Sequence, residues 1–277
     1  MGDPVKKAMV INDLSGLGRC SLTAAIPVLS VLGIQPCPVP TAVLSNQTGY
    51  DSYFLFDCAE AMRAFPREWQ KRGFRPDGIC TGYFSSAEQI RAAQTLIDAF
   101  RTPETLLLID PVMGDHGHRY TGFSPPFCAA LAAFSAQADV LTPNITEACL
   151  LTDTDYAAFA AAPEAVQRAL LERMAEALPA PTVVITGWRR EEKMSSAAWQ
   201  NGSFEVYESP SVDGSFSGTG DLFAAALAGG LLRGDSLETA VRRAMRFLDR
   251  ALADAKAAGA FGPDGIPFEP HLRELLL

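Results

Sequence analysis

SFSGTGDLFAAALAGGLL, residues 215–232, joins two kinds of sequence with opposite physical demands. Ser217-Gly218-Thr219-Gly220 is too small and too rich in glycine for a strand, and it suits a turn whose backbone N–H groups converge on one point. Leu222, Phe223, Ala224, Ala225, Ala226 and Leu227 are too apolar for a surface, so they read as a buried helix. Asp221 stands at the junction. The helix dipole favours an acid in the first turn by roughly 0.3–1 kcal/mol, which is enough to explain a simple cap. A glycine turn entering a helix is also an anion cradle, and a fixed negative charge beside an anion needs a further reason. Accepting a proton from a hydroxyl that attacks phosphorus supplies one, with the cradle taking the charge of the transferred group.

Outward from that junction, short apolar runs alternate with helical periodicity. KKAMVI (6–11), DGICTG (77–82), TLLLIDP (105–111), ADVLTPN (138–144) and PTVVITG (181–187) read as strands, and IQPCPVP (34–40) as an extended stretch broken by prolines. Helices are expected over 20–33, where Pro27 should kink the chain, over 58–73 with an interruption at Pro66, over 86–101, 125–137 and 163–178, and from 145. A last helix is expected over 236–259, and 194–209 reads as a hairpin turning at Asn201-Gly202. Strands apolar on both faces, alternating with helices, predict an α/β fold with an open, mostly parallel central sheet flanked by helices. No linker or repeat divides the chain, so one domain over residues 1–277 is expected. In such sheets a site lies beyond the carboxyl ends of the strands.

Composition narrows the partners. Of 277 residues, 48% are hydrophobic and 20% charged, enough for a large core. The net charge of -9 argues against nucleic acid or an anionic membrane as partner, because both require clustered cations. It does not argue against an anionic small ligand held by backbone N–H groups. No apolar run is long enough for a membrane span, and the start MGDPVKKAMVIND lacks a signal-peptide core, so a cytoplasmic protein is expected. The six cysteines are scattered without a CxxC pair and read as small buried hydrophobes.

The strand ends carry the chemistry. NDLSGLGRCS (12–21) contains Gly16-x-Gly18, but Ser21 stands where a dinucleotide fingerprint needs its third glycine; the segment reads as a polar loop or a substrate loop. TAVLSNQTGYDSY (41–53) offers neutral donors and acceptors beside an aromatic ring, suited to a planar polar ligand or to an edge hairpin. Asp110 sits at a strand tip fixed by Pro111, and HGHRY (116–120) after Asp115 reads as a flap rather than a metal site. In Thr142-Pro143-Asn144-Ile145-Thr146-Glu147, Asn144 and Glu147 form a capping box. The same geometry could hold hydrated Mg²⁺ beside phosphates.

GTGD before an apolar helix, with N-x-x-E upstream, resembles the ribokinase superfamily. SNQTGY (45–50), TGYFSSAEQ (81–89), DPVMGD (110–115) and TPNITEACLL (142–151) resemble the pyridoxal kinase family, from about residue 8 to the final helix. The resemblance implies a three-layer α/β/α ribokinase-like fold and ATP-dependent phosphorylation of the 5′-hydroxymethyl group of the B6 vitamers pyridoxal, pyridoxine and pyridoxamine. It implies Asp221 as general base and Gly218, Thr219 and Gly220 as anion hole. Asn144 and Glu147 would serve a Mg²⁺–phosphate network with Asp110 nearby, and Asp115 and Thr142 would lie near the nucleotide phosphates. Thr186 and Gly187 would approach ATP, Thr48 and Tyr83 would line the pyridine pocket, and Tyr120 would sit on the flap. A monovalent cation such as K⁺ and a homodimer are implied too.

The first strand end departs from the family. Where a serine commonly meets the ring, this chain has Asn12-Asp13-Leu14-Ser15, so Asn12 or Asp13 is expected there. An acid would favour an amine or a protonated ring nitrogen. That loop leaves a hydroxymethylpyrimidine kinase open as an alternative. A non-catalytic B6-binding protein is a further reading, against which the intact Asp221 and cradle argue.

Overall fold

The computed structural model describes residues 4–190, 193–210, 217–260 and 262–277. Strand β1 (Lys7–Leu17) leads into helix α1 (Ser21–Val31), followed by β2 (Gln35–Asn46) and β3 (Leu55–Asp57). Next come α2 (Ala59–Met62), α3 (Phe65–Gln70), β4 (Gly78–Thr81), α4 (Ala87–Phe100) and β5 (Leu106–Ile109). The short strands β6 (Gly114–Asp115) and β7 (His118–Arg119) precede α5 (Pro125–Ser135), β8 (Val140–Leu141), α6 (Ile145–Leu151), α7 (Tyr156–Ala161) and α8 (Glu164–Ala177). Strands β9 (Thr182–Arg190), β10 (Lys193–Gln200) and β11 (Ser203–Pro210) lead to α9 (Thr219–Arg233), α10 (Leu237–Ala257) and a terminal 3₁₀ segment, Glu269–Leu276. The chain divides into two compact units, residues 1–107 with 212–277, and residues 108–211, with the division falling inside β5.

In the first unit the strands run in the order β4-β1-β2-β3, with β1 parallel to both β4 and β2 and with β3 antiparallel. Ala8, Met9, Val10 and Ile11 are all buried, as a strand covered on both faces requires. Two segments differ from the sequence expectation. Strand β1 does not stop at Ile11: it continues to Leu17, past a register shift between Asn12 and Leu14, so the predicted loop begins as strand. Strand β2 runs through Pro36, Pro38 and Pro40 unbroken. Gln35 donates its N–H to Lys6 at 2.8 Å, so the alternate residues face β1. The prolines, at the opposite parity, lack N–H groups only on the other side, where β3 starts pairing at Ala42.

Helix α9 is nearly all buried, including Leu222, Phe223, Leu227 and Leu232. Each such side chain contributes about 1.5–3 kcal/mol, which outweighs the roughly 1 kcal/mol lost at each of Gly229 and Gly230. Those glycines permit close helix packing: an added Cβ would lie 2.4 Å from Leu32 Cδ1 at Gly229 and 2.9 Å from Ala240 Cβ at Gly230. Helix α1 runs on through Pro27 to Val31, within the expected 20–33.

In the second unit β5, β8 and β9 are parallel, and β9, β10 and β11 form an antiparallel meander. Asn201 and Gly202 take φ of +53° and +79°, the left-handed pair that a two-residue hairpin needs. Trp188 on β9 is 1% exposed and donates its indole N–H to Gln167 of α8 at 2.8 Å, which fastens that helix to the sheet. Helix α7, capped by Asp155, has only six residues and too little periodicity to be foreseen. Among the described residues no helix is long and apolar enough to cross a membrane.

Candidate active site

The first unit gathers Asn12, Asp13, Tyr83 and Asp221. Helix α9 starts from Gly218, whose φ is +81°. A Cβ there would fall 1.9 Å from the Arg19 carbonyl oxygen, so both conformation and space require glycine. That close approach brings Asp221, in the first turn of α9, to the start of α1. Asn12 donates its side-chain N–H to Asp221 Oδ1 at 3.0 Å. The Asn12 Oδ1 accepts from the backbone N–H groups of Tyr83 at 2.8 Å and Asp13 at 3.0 Å, which fixes the amide with its donor toward Asp221. Asp221 itself is half-buried. Burial pushes its proton affinity up, to a pKa of about 6; the Asp13 charge adds to the rise, while the Ser21 backbone and the Asn12 amide oppose it. Of the predicted cradle, Ser217 to Gly220 lie at this turn, and Ser215 and Phe216 fall outside the described residues.

Asp13 is 4% exposed. One of its oxygens accepts from the Ser21 hydroxyl and the other from the Ser15 hydroxyl at 2.9 Å. Burial raises its pKa as well. Tyr83 is half-buried, with its phenol pushed up to about 12 by burial first and then by Tyr53 and Asp13. Thr48 is exposed in the turn after β2. Its neighbour Gln47 donates to the Pro263 carbonyl at 2.6 Å and accepts from the Gly49 N–H at 2.9 Å. Tyr50 donates to Asp264, whose carbonyl accepts the Arg19 N–H at 3.0 Å. Residues 262–265 thus clasp the SNQTGY turn to the loop before α1. Sequence reasoning missed this clasp, as it missed Ser15 and Ser21; a glycine-flanked Pro263-Asp264 turn was its one visible signal.

The second unit gathers the other candidates around the start of α6. Asn144 and Glu147 form the predicted capping box: Asn144 Oδ1 accepts the Glu147 N–H at 2.9 Å, and Glu147 Oε2 accepts the Asn144 N–H at 2.8 Å. Glu147 Oε1 accepts the Met113 N–H at 3.0 Å, and Asn144 donates its side-chain N–H to the Gly114 carbonyl at 2.8 Å. Burial drives the Glu147 carboxyl up to about 8, against the pull of these backbone donors, with Asp115 adding to the rise. Asp110 and Thr142 are buried just past the ends of β5 and β8. Asn144 bridges to Thr186, and Gly187 follows at φ +78°. The β6–β7 hairpin carries Asp115 and leads to the exposed Tyr120, and Gly117 at its tip donates to Thr146 of α6 at 2.9 Å.

Among the described residues no group of three or more acidic, histidine or cysteine side chains forms a metal cage. The donors at α6 fit Mg²⁺ in another way, since that ion keeps several waters and binds through one or two carboxylates plus substrate phosphates. Glu147 and Asp110 supply buried carboxylates, and the buried Thr142 hydroxyl has no hydrogen-bond partner among the described residues.

A mostly parallel α/β sheet with a glycine turn and an acid at a helix start defines a ribokinase-like small-molecule kinase fold. Residues 21–263 match the phosphomethylpyrimidine kinase family. The pyridoxine/pyridoxal/pyridoxamine kinase of Bordetella avium is 32% identical over 252 residues, covering 87% of this chain and 82% of the relative. A Bacteroides thetaiotaomicron protein described as a candidate phosphomethylpyrimidine kinase, solved with pyridoxal, superposes with a TM-score of 0.89 at 35% identity over 99% of this chain and 96% of the other. The pyridoxal kinase of Lactobacillus plantarum superposes with a TM-score of 0.87 at 30% identity, covering 99% and 97%. The chain belongs to the pyridoxal kinase family of the ribokinase superfamily.

Proposed function

We propose that the chain is an ATP-dependent kinase that phosphorylates the 5′-hydroxymethyl group of pyridoxal, pyridoxine or pyridoxamine. The setting of Asp221 carries this reading: a carboxylate beside a glycine turn, held by Asn12, with a pKa raised to about 6. A base matched to neutral pH is what proton transfer from an alcohol requires. The vitamer hydroxyl gives its proton to Asp221 while its oxygen attacks the γ-phosphorus. The bond from that phosphorus to the bridging oxygen of ATP breaks, and ADP leaves. Backbone N–H groups of Gly218, Thr219 and Gly220 receive the charge on the transferred group. Asn12, Thr48, Tyr83 and Tyr120 are assigned to the vitamer. Asp13, the alternative to Asn12, has both oxygens engaged by the Ser15 and Ser21 hydroxyls.

Asp115, Thr142, Asn144, Thr186 and Gly187 are assigned to the nucleotide, and Glu147 and Asp110 to Mg²⁺. Bound there, the ion neutralises phosphate charge. A homodimer is supported by exposed Val43, Phe54 and Phe56 at the β2–β3 edge, an apolar surface that a second copy would cover. Six free cysteines accord with a reducing, cytoplasmic setting.

The match to the phosphomethylpyrimidine kinase family favours one second reading, phosphorylation of hydroxymethylpyrimidine. ADP release with Mg-ATP, measured on the three vitamers, hydroxymethylpyrimidine and ribose in parallel, decides between them. Turnover on a vitamer with kcat/KM at least about tenfold above hydroxymethylpyrimidine is expected. The reverse ranking would move the protein to the second reading, and tight vitamer binding without turnover would make it a binder.

A further inference from the structure

Gln47 is buried in a turn whose next two residues, Thr48 and Gly49, are exposed. A buried glutamine needs both ends of its amide bonded, and here both are. Its oxygen accepts the Gly49 N–H at 2.9 Å, and its nitrogen donates to the Pro263 carbonyl at 2.6 Å. The residue after β1 makes room for it: a Cβ on Gly18, where φ is +108°, would fall 2.7 Å from Gln47 Cγ. The turn that Gln47 reaches, 262–265, touches further parts of the site. Tyr50 donates to the Asp264 carboxylate, and the Asp264 carbonyl accepts the Arg19 N–H at 3.0 Å. A Cβ on Gly265 would lie 3.0 Å from the Arg19 carbonyl oxygen and 3.1 Å from the Ser217 carbonyl oxygen. Beyond the turn Ile266 and Phe268 are buried, with the Phe268 ring against Phe247 of α10, so the turn is rooted in the core.

Residues 262–265 thus join the turn that carries Thr48 to the glycine turn that leads into Asp221. We propose that Gln47 and Asp264 are positioning residues for the phosphoryl acceptor: through the 262–265 turn they hold Thr48 and Tyr50 in a fixed place relative to Gly218 and Asp221, and so set where the acceptor hydroxyl lies against the base. This rests on the reading of Thr48 as an acceptor contact and Asp221 as the base. Neither side chain has to touch the acceptor. The Gln47 amide is bonded to Gly49 and Pro263, and the exposed Asp264 is bonded to Tyr50. A displacement of the acceptor by about 1 Å is enough to cost about 100-fold in rate.

Two measurements on the full chain test this. The first is backbone amide exchange of the free protein by NMR, read at the Arg19 N–H, which is bonded to Asp264 and not to Gln47. Gln47→Glu keeps the acceptor for Gly49 and removes the donor to Pro263, so the Arg19 N–H should exchange about tenfold faster. The second is steady-state turnover. In Gln47→Glu, kcat/KM for the vitamer should fall roughly 10- to 100-fold while KM for Mg-ATP stays within about threefold. Asp264→Ala should lose about tenfold in the same kcat/KM, and Asp264→Asn, which keeps an acceptor for Tyr50, should recover most of that loss. Faster exchange together with the selective loss supports the proposal. Faster exchange with unchanged kcat/KM overturns it and leaves a purely structural clasp. A lost kcat/KM with unmoved exchange also overturns it and makes Gln47 a direct acceptor contact. An equal rise in KM for Mg-ATP overturns it as general loosening. If Gln47→Glu does not fold, the Asp264 pair, at an exposed position, carries the same decision. Wild-type turnover tells the two failures apart. A wild type inactive on every acceptor removes the proposed function and this role with it, whereas an active wild type without the selective loss removes this role alone.

Discussion

Helices α6 and α9 both carry an acid in their first turn, and the two acids are held in opposite ways. Glu147 closes on its own helix start, exchanging bonds with Asn144 three residues away, and it adds one backbone donor from Met113. Asp221 follows a glycine that offers no side-chain cap, and its side-chain partner, Asn12, lies 209 residues away in sequence. A capping box is worth about 1 kcal/mol and needs no further purpose. A carboxylate whose partner comes from a distant strand contributes little to its own helix, and its burial raises its energy. On the proposed reading, the first arrangement fixes a polar wall and the second holds a base ready. The lesson is that an acid at a helix start is read by where its partners come from.

Gly218→Ala should break the contrast hardest. The new Cβ, 1.9 Å from the Arg19 carbonyl, forces the turn open, and kcat should fall by about 10³, with circular dichroism checking that the fold survives. Near-normal turnover would mean the turn is not part of the site. On the other side, Glu147→Gln keeps one carbonyl acceptor but turns an amide N–H toward the Asn144 or Met113 N–H, so it should cost about 1–3 kcal/mol in urea denaturation. It should also lower kcat/KM for Mg-ATP roughly tenfold, since a neutral amide is a poor Mg²⁺ ligand. Asn144→Ala should cost about 1 kcal/mol in urea denaturation, and an unchanged kcat/KM for Mg-ATP in Glu147→Gln would contradict the division of roles.

The pH dependence sharpens the contrast further. Asp221 works ionised, so kcat should rise with pH through an acidic limb near about 6. A limb near the ordinary 3.8 would mean the carboxylate is not buried as described. The smallest effect is on stability. The folded protein holds the Asp221 proton more tightly than the unfolded chain does, so this group's contribution is greatest at low pH and is lost as pH rises from 3.8 through about 6. Asp221→Asn has no such loss and should melt about 2–4 °C above the wild type at pH 8, with the gap closing below about pH 4.

Much of this was legible in the sequence. Alternating strands and helices, the Asn201-Gly202 turn, the Asn144–Glu147 box and the Gly218–Asp221 junction all carry local signals, and each formed as expected. What escaped was non-local. Nothing in Asn12-Asp13-Leu14-Ser15 says that β1 continues, because only pairing with β2 extends it. The prolines of β2 look like breakers until their parity against β1 is known. The sequence does not reveal the two hydroxyl partners of Asp13, Ser15 and Ser21, because the three residues form no motif. The tie from Gln47 to Pro263 spans 216 residues, beyond any periodicity.

The central claim is that Asp221 takes the proton of the vitamer hydroxyl. Its most direct test is steady-state turnover of wild type and Asp221→Asn with Mg-ATP and pyridoxal, pyridoxine or pyridoxamine at pH 8. A fall in kcat of about 10² or more, with KM for the vitamer within about threefold, is the predicted result. A kcat within tenfold of the wild type, or a loss confined to KM, would contradict it and leave Asp221 as a helix cap.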